Sequence, residues 1–147
     1  MNLETINLKK ILVPLDGSKQ AYEAAKRAVY IAGLNEAEVT FLCVVDLNKE
    51  VAAFEQVSLS GYVPTELKEG AYKLLAELMH EIPREIKAKT QVEIGTPAEV
   101  IVETAEDGHF DLVVMGSRGF GAIKSLLMGS VSQYVLQHAH CPVLVVR

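Results

Sequence analysis

The sequence predicts one α/β domain built on a five-stranded, open parallel sheet with helices on both faces, and three observations carry that prediction. Five short aliphatic runs are separated by stretches of helical periodicity. No strand–strand hairpin signal joins any two of these runs, so each return to the sheet needs a crossover, which is right-handed in such folds. Several runs are apolar throughout, lacking the alternation of a strand with one wet face, as expected of strands covered from above and below.

Ile11-Leu12-Val13 forms the first strand and ends at Pro14, after which Asp16-Gly17-Ser18 supplies turn and helix-capping chemistry. Ala21, Ala24, Ala25, Ala28, Val29 and Ala32 then recur on one helical stripe, whose small side chains let a helix lie close to a sheet. Gly33 and Asn35 are expected to stop that helix. Val39 to Val45 is a continuous, β-rich run and forms the second strand. Residues 46–64 have no sustained period and make the longest connection, where a lid or partner-specific feature would sit.

From Thr65 onward, Leu67, Ala71, Leu74, Leu75, Leu78, Met79 and Ile82 share a helical face, and Pro83 limits its extension. A third strand follows at about Thr90 to Ile94. Thr96-Pro97-Ala98-Glu99 has the pattern of a capping box with proline at the first helical position. Ala98, Ile101, Val102 and Ala105 form the buried face of that helix, and Gly108 ends it. Leu112 to Met115 is a fourth, doubly buried strand. A glycine-containing loop from Gly116 to Gly129 leads to a helix through Val131, Tyr134 and Val135, and Pro142 to Val146 is the last strand.

Composition narrows the function. With 147 residues, half of them hydrophobic, the chain can bury a sizeable core. Fourteen Lys and Arg against nineteen Asp and Glu leave a net charge of −5, so no global positive field exists to hold nucleic acid or an anionic membrane. The N-terminal sequence lacks the pattern of a secretory signal, which predicts a cytoplasmic protein. Serines, glutamines, histidines and Pro142 interrupt the uncharged stretch from Ser125 to Val146, so a membrane span is not expected. Cys43 and Cys141 lie in apolar runs with no second cysteine at redox or zinc spacing, and buried free thiols are expected.

In a sheet of this class ligands bind beyond the carboxyl ends of the strands, where strand order reverses. The segment after the fourth strand has the matching chemistry. Gly116 and Gly119 allow close backbone approach, and Gly129-Ser130-Val131-Ser132 opens a helix whose free N–H groups, dipole and two hydroxyls would converge on an anion. The same glycines would also serve a loop that merely turns tightly over the sheet. The spacing is not a P-loop, because Ala122-Ile123 stands where Lys and Ser or Thr are required, and no G-x-G-x-x-G occurs. His80-Glu81 fails the zinc-protease pattern at Arg84, and His138 and His140 more simply meet the last helical carbonyls than a metal. No grouping marks a nucleophilic catalyst.

The runs I-L-V-P-L-D-G-S (11–18), V-V-M-G-S-R-G (113–119), G-S-V-S (129–132) and H-A-H-C-P-V-L-V-V-R (138–147) resemble the universal stress protein family, in its ATP-binding branch. The resemblance spans essentially the whole chain. Gly116, Gly119, Gly129 and Ser130 fit the family's nucleotide motif of Gly, two residues, Gly, nine residues, Gly and Ser or Thr.

The resemblance implies a Rossmann-like, adenine nucleotide alpha hydrolase-like sheet with strand order 3-2-1-4-5. It also implies an ATP site, with Mg2+ or Mn2+, in which Asp16 meets the ribose or adenine side and Val44 borders the adenine. Gly116, Gly119, Gly129, Ser130, Val131 and Ser132 would hold phosphates, largely through backbone N–H groups. Pro14, Leu15, Met115 and Arg118 are also implied as nucleotide-binding residues; Arg118 could neutralise phosphate, as could Lys124, although exposed loop cations are more often solvated.

A homodimer through the C-terminal strand is implied as well, with the protein acting as a nucleotide-dependent stress-response switch with slow or no ATP hydrolysis. The rivals are a nucleotide-free interaction module of the same fold and a weak ATPase or nucleotidyl-handling enzyme. Cys43 departs from the histidine the family often has there, and His140 from a common Pro, Ser or Asp.

Overall fold

The computed structural model describes residues 3–46, 64–119 and 128–147. Its strands are β1 (Lys10–Pro14), β2 (Glu38–Asp46), β3 (Lys87–Gly95), β4 (Leu112–Gly116) and β5 (Val143–Val146). Helices α1 (Lys19–Asn35), α2 (Pro64–Glu81), α3 (Pro97–Asp107) and α4 (Ser130–His138) fall between them. All neighbouring strands are parallel, in the order β3-β2-β1-β4-β5. Among the described residues, no helix is long and apolar enough to cross a membrane.

Alternation along the strands divides the core into two layers. Ile11, Val13, Val39, Phe41, Val114 and Val146 pack against Ala21, Ala24, Ala28 and Ala32 of α1 and Ala71, Leu75 and Leu78 of α2. Leu12, Leu42, Val113 and Met115 point the other way, onto Ile101 and Ala105 of α3 and Val135 of α4. Both sides of β1, β2 and β4 are therefore dry, which is why their sequences are apolar without alternation.

At the helix ends, Asn35 and Gly108 stop their helices as expected, while Gly33 and the capping box do not act as expected. Helix α1 does not stop at Gly33; it runs to Asn35 and closes on Glu36, whose φ of 55° is left-handed and whose N–H donates to the Ala32 carbonyl. A single helical glycine costs only about 1 kcal/mol, less than the buried alanine stripe around it supplies. Thr96 does occupy the N-cap of α3, with Pro97 just inside, but its hydroxyl makes no capping bond, so the capping box is not closed. Gly108 ends α3 at an ordinary φ of −83°, and the left-handed residue is His109. Glycine is needed at 108 for room: a Cβ there would lie 2.5 Å from the Phe110 ring.

Candidate functional site

The crevice of the molecule follows from how three strands end. β1 stays paired with β2 as far as Pro14 beside Leu42, and β4 stays paired with β5 as far as Gly116 beside Val146. Between β1 and β4, however, the register covers only Ile11 beside Leu112 and Leu12 beside Val113. Strand order reverses at this pair, and beyond Leu12 and Val113 the two ends carry the loops that define the site.

On the β1 side, Gly17 adopts a φ of 84°, a conformation that glycine takes without strain. This turn lets the Asp16 Oδ1 accept from the Ser18 N–H at 2.8 Å, an Asx turn, while the Ser18 Oγ accepts from the Ala21 N–H at 3.2 Å and caps α1. Asp16 and Ser18 thus divide the turn and capping work between them. The other Asp16 oxygen faces Gly119: a Cβ on Gly119 would sit 2.3 Å from Oδ2. The carboxylate expected at the ribose side is therefore placed directly against the glycine loop.

The β4 loop is held by its own backbone. Ser117 N–H donates to the Val146 carbonyl at 2.7 Å, extending the β5 ladder by one bond, and the Ser117 carbonyl accepts from the Gly129 N–H at 2.7 Å. That second bond draws the start of α4 to the end of β4. The buried Ser132 hydroxyl donates to the carbonyls of Gly116 and Ser117, at 2.9 and 3.0 Å. Of the two hydroxyls expected to converge on an anion, Ser132 therefore serves the loop, because a strand end entering a turn leaves carbonyls in need of donors. Its backbone N–H, with those of Ser130 and Val131, belongs to the first turn of α4 and has no acceptor within the helix.

Each motif glycine has its own physical reason. A Cβ on Gly116 would lie 3.0 Å from the carbonyl carbon and Cβ of Gln20 and 3.2 Å from the Ala21 N, so this glycine lets β4 approach the start of α1. At Gly129 a Cβ would meet the Ser117 carbonyl oxygen at 3.4 Å and the Arg118 Cα at 3.5 Å, at the concave junction of loop and helix.

The remaining candidates frame this junction. Leu15 and Met115, expected as nucleotide-binding residues, are instead buried in opposite core layers, where their side chains fix the strand ends. Pro14 and Val44 are half-buried, and Val44 packs on the same side of the sheet as Met115. Arg118 is half-buried and Ser130 exposed. Lys124 lies outside the described residues, as does most of the 46–64 connection. Sequence reasoning missed Gln20, whose Oε1 accepts from the Arg118 N–H at 2.9 Å across 98 residues of chain. It also missed the proximity of Cys43 to Asp16: burial first, and then the Asp16 charge, push the Cys43 thiol above its ordinary range.

His138 meets a carbonyl of the last helical turn as expected, whereas His140 turns instead to the Glu106 carboxylate. The His138 Nδ1 lies 2.8 Å from the Tyr134 carbonyl, with its ring stacked on the Tyr134 ring, and the His140 Nε2 is 3.4 Å from Glu106. Among the described residues no group of three or more His, Cys, Asp or Glu gathers as metal ligands. An open groove of about 600 Å3 runs between β3 and α3, lined by residues that include Lys10, Glu38 and Lys89. There Lys89 pairs with Glu38 at 3.2 Å, and Lys10 donates to the Gly108 carbonyl.

A parallel α/β protein with an anion-receptive helix start over its switch point is the class that fold and site define. The universal stress protein family profile matches residues 7–147, and the chain belongs to that family. It is 38% identical to universal stress protein MJ0531 of Methanocaldococcus jannaschii, over 95% of this chain and 82% of that one. The solved structure of MJ0577 superposes with a TM-score of 0.83 at 33% identity, covering 96% of each chain. Two more distant structures share the fold. One is a universal stress protein in complex with cAMP, at 24% identity and TM-score 0.71, covering 97% of this chain and 98% of that one. The other is the Archaeoglobus fulgidus protein in complex with dAMP, at 20% and 0.69, covering 97% of this chain and all of that one.

Proposed function

We propose that this protein binds ATP or a related adenine nucleotide and acts as a nucleotide-dependent switch in a stress response. The observation that carries the reading is the Gly129–Ser117 bond, which sets the free N–H groups and dipole of α4 beside the glycine loop. Asp16, against Gly119, is the acceptor for a ribose hydroxyl. The cAMP and dAMP held by the two distant members of the fold support an adenine ligand. A longer phosphate tail is supported by the helix start. Mg2+ or Mn2+ would travel with the phosphates and be held largely by them and by water, as such ions often are.

Among the described residues nothing names a general base or a group that positions water, so binding is proposed and rapid turnover is not. The proposal places the protein in the cytoplasm and pairs two copies through β5, a short apolar edge strand. Titration calorimetry with ATP, with and without Mg2+, tests the site. Wild type should bind, and a folded Gly129→Val variant should lose about 100-fold or more, because the added methyls would fill the loop–helix junction. If wild-type protein binds no adenine nucleotide, the glycines are purely structural and the reading fails.

A further inference from the structure

We infer that Gln20 is the positioning residue of the phosphate loop and favours nucleotides with a phosphate tail over the bare nucleoside. The inference rests on the proposed nucleotide site and adds to it a residue outside the family's nucleotide motif. Gln20 lies in the first turn of α1, and its Oε1 accepts the Arg118 N–H at 2.9 Å. Arg118 is the residue between the Ser117 carbonyl that holds Gly129 and the Gly119 that abuts Asp16. Without that acceptor, a half-buried N–H would have to turn toward water, taking the peptide plane with it.

Gln20 can act there because of Gly116. The glycine brings the strand end within 3.0 Å, measured to its would-be Cβ, of the Gln20 backbone and Cβ. At that separation a side chain of glutamine length reaches back to the residue two positions on. The loop is then held on separate sides by Val146 of β5, by Gly129 and Ser132 of α4, and by Gln20 of α1. Of these, the Gln20 bond is made by a side chain from outside the β4–α4 connection and the β5 ladder. It sets the orientation of the Arg118 peptide without building the fold.

Gln20→Leu removes the acceptor and retains the bulk, whereas Gln20→Glu retains an acceptor. In the nucleotide-free protein, amide exchange measured by NMR should show the Arg118 N–H losing protection about tenfold in Gln20→Leu and regaining it in Gln20→Glu. ATP affinity of Gln20→Leu should fall about tenfold, the scale of one hydrogen bond, with adenosine affinity and melting temperature nearly unchanged. Unchanged Arg118 exchange in Gln20→Leu would overturn the inference. Equal losses for ATP and adenosine would overturn it too, because they would mark a general disturbance of the site. Wild type that binds neither ligand overturns the nucleotide reading and this inference together; wild-type binding with either of the first two results overturns this inference alone.

Discussion

At the scale of single residues, the site is governed by how near backbone can come to backbone. Gly116 faces the Gln20 and Ala21 main chain, which is part of a capped helix and yields little. Gly116→Ala should therefore destabilise the fold by about 1–3 kcal/mol, the usual range for overpacking, and chemical denaturation will measure it. Burial and the neighbouring Asp16 charge raise the Cys43 thiol, and burial raises Cys141. A thiol whose folded pKa is raised adds stability that is full below the unfolded value and is lost as pH climbs through the folded one. Urea midpoints should thus fall as pH rises above the ordinary thiol value of about 8.5, and a Cys43→Ala variant should show a smaller fall. A pH dependence identical in the two proteins would refute this account.

Helix starts are the working parts among the elements. Helix α1 begins with a complete cap, Ser18 to the Ala21 N–H, and is tied to β1 through the Asp16 turn. Helix α4 begins on Gly129 with no side-chain cap and no acid in its first turn, so its positive end is left for an anion. Ser130→Asp separates stability from function at this position. The carboxylate should stabilise the helix by about 0.3–1 kcal/mol through the dipole while repelling phosphate. The expected result is an equal or higher melting temperature with ATP affinity reduced at least about tenfold. Undiminished ATP binding would place the phosphates elsewhere. The glycine spacing and the helix start were legible in the sequence because each is local. The Gln20–Arg118 bond was not, since it joins residues 98 apart and has no pattern that spacing could reveal.

At the scale of the whole molecule, β5 is a short strand at the edge of the sheet. Val146 is buried against the α1 layer, and Leu144, two residues earlier on the same face of β5, is 39% exposed. Pairing with a second copy would cover it. Leu144→Lys places a charge on that edge, a standard way of discouraging strand pairing. Sedimentation should show wild-type dimer and variant monomer, with the circular dichroism of the folded chain retained in both. A wild type that sediments as a monomer would remove the dimer from the proposed function. The edge also touches the site, for Ser117 donates to the Val146 carbonyl, so nucleotide affinity measured on the same variant will show whether pairing and binding are linked.

The sequence by itself determined the order and type of the elements and the strands that would be buried on both faces. It also marked the Gly116, Gly119, Gly129 and Ser130 motif, because periodicity, composition and spacing are properties of neighbours along the chain. It named Asn35 rightly as the end of α1 but also Gly33, which the helix passes through, and it expected a capping box at Thr96 whose hydroxyl bond is not made. Tertiary structure alone decided which hydroxyl anchors the loop and which faces outward, why β4 needs glycine beside Gln20, and that Asp16 lies against Gly119. Those outcomes depend on distances between segments that only the closed sheet brings together.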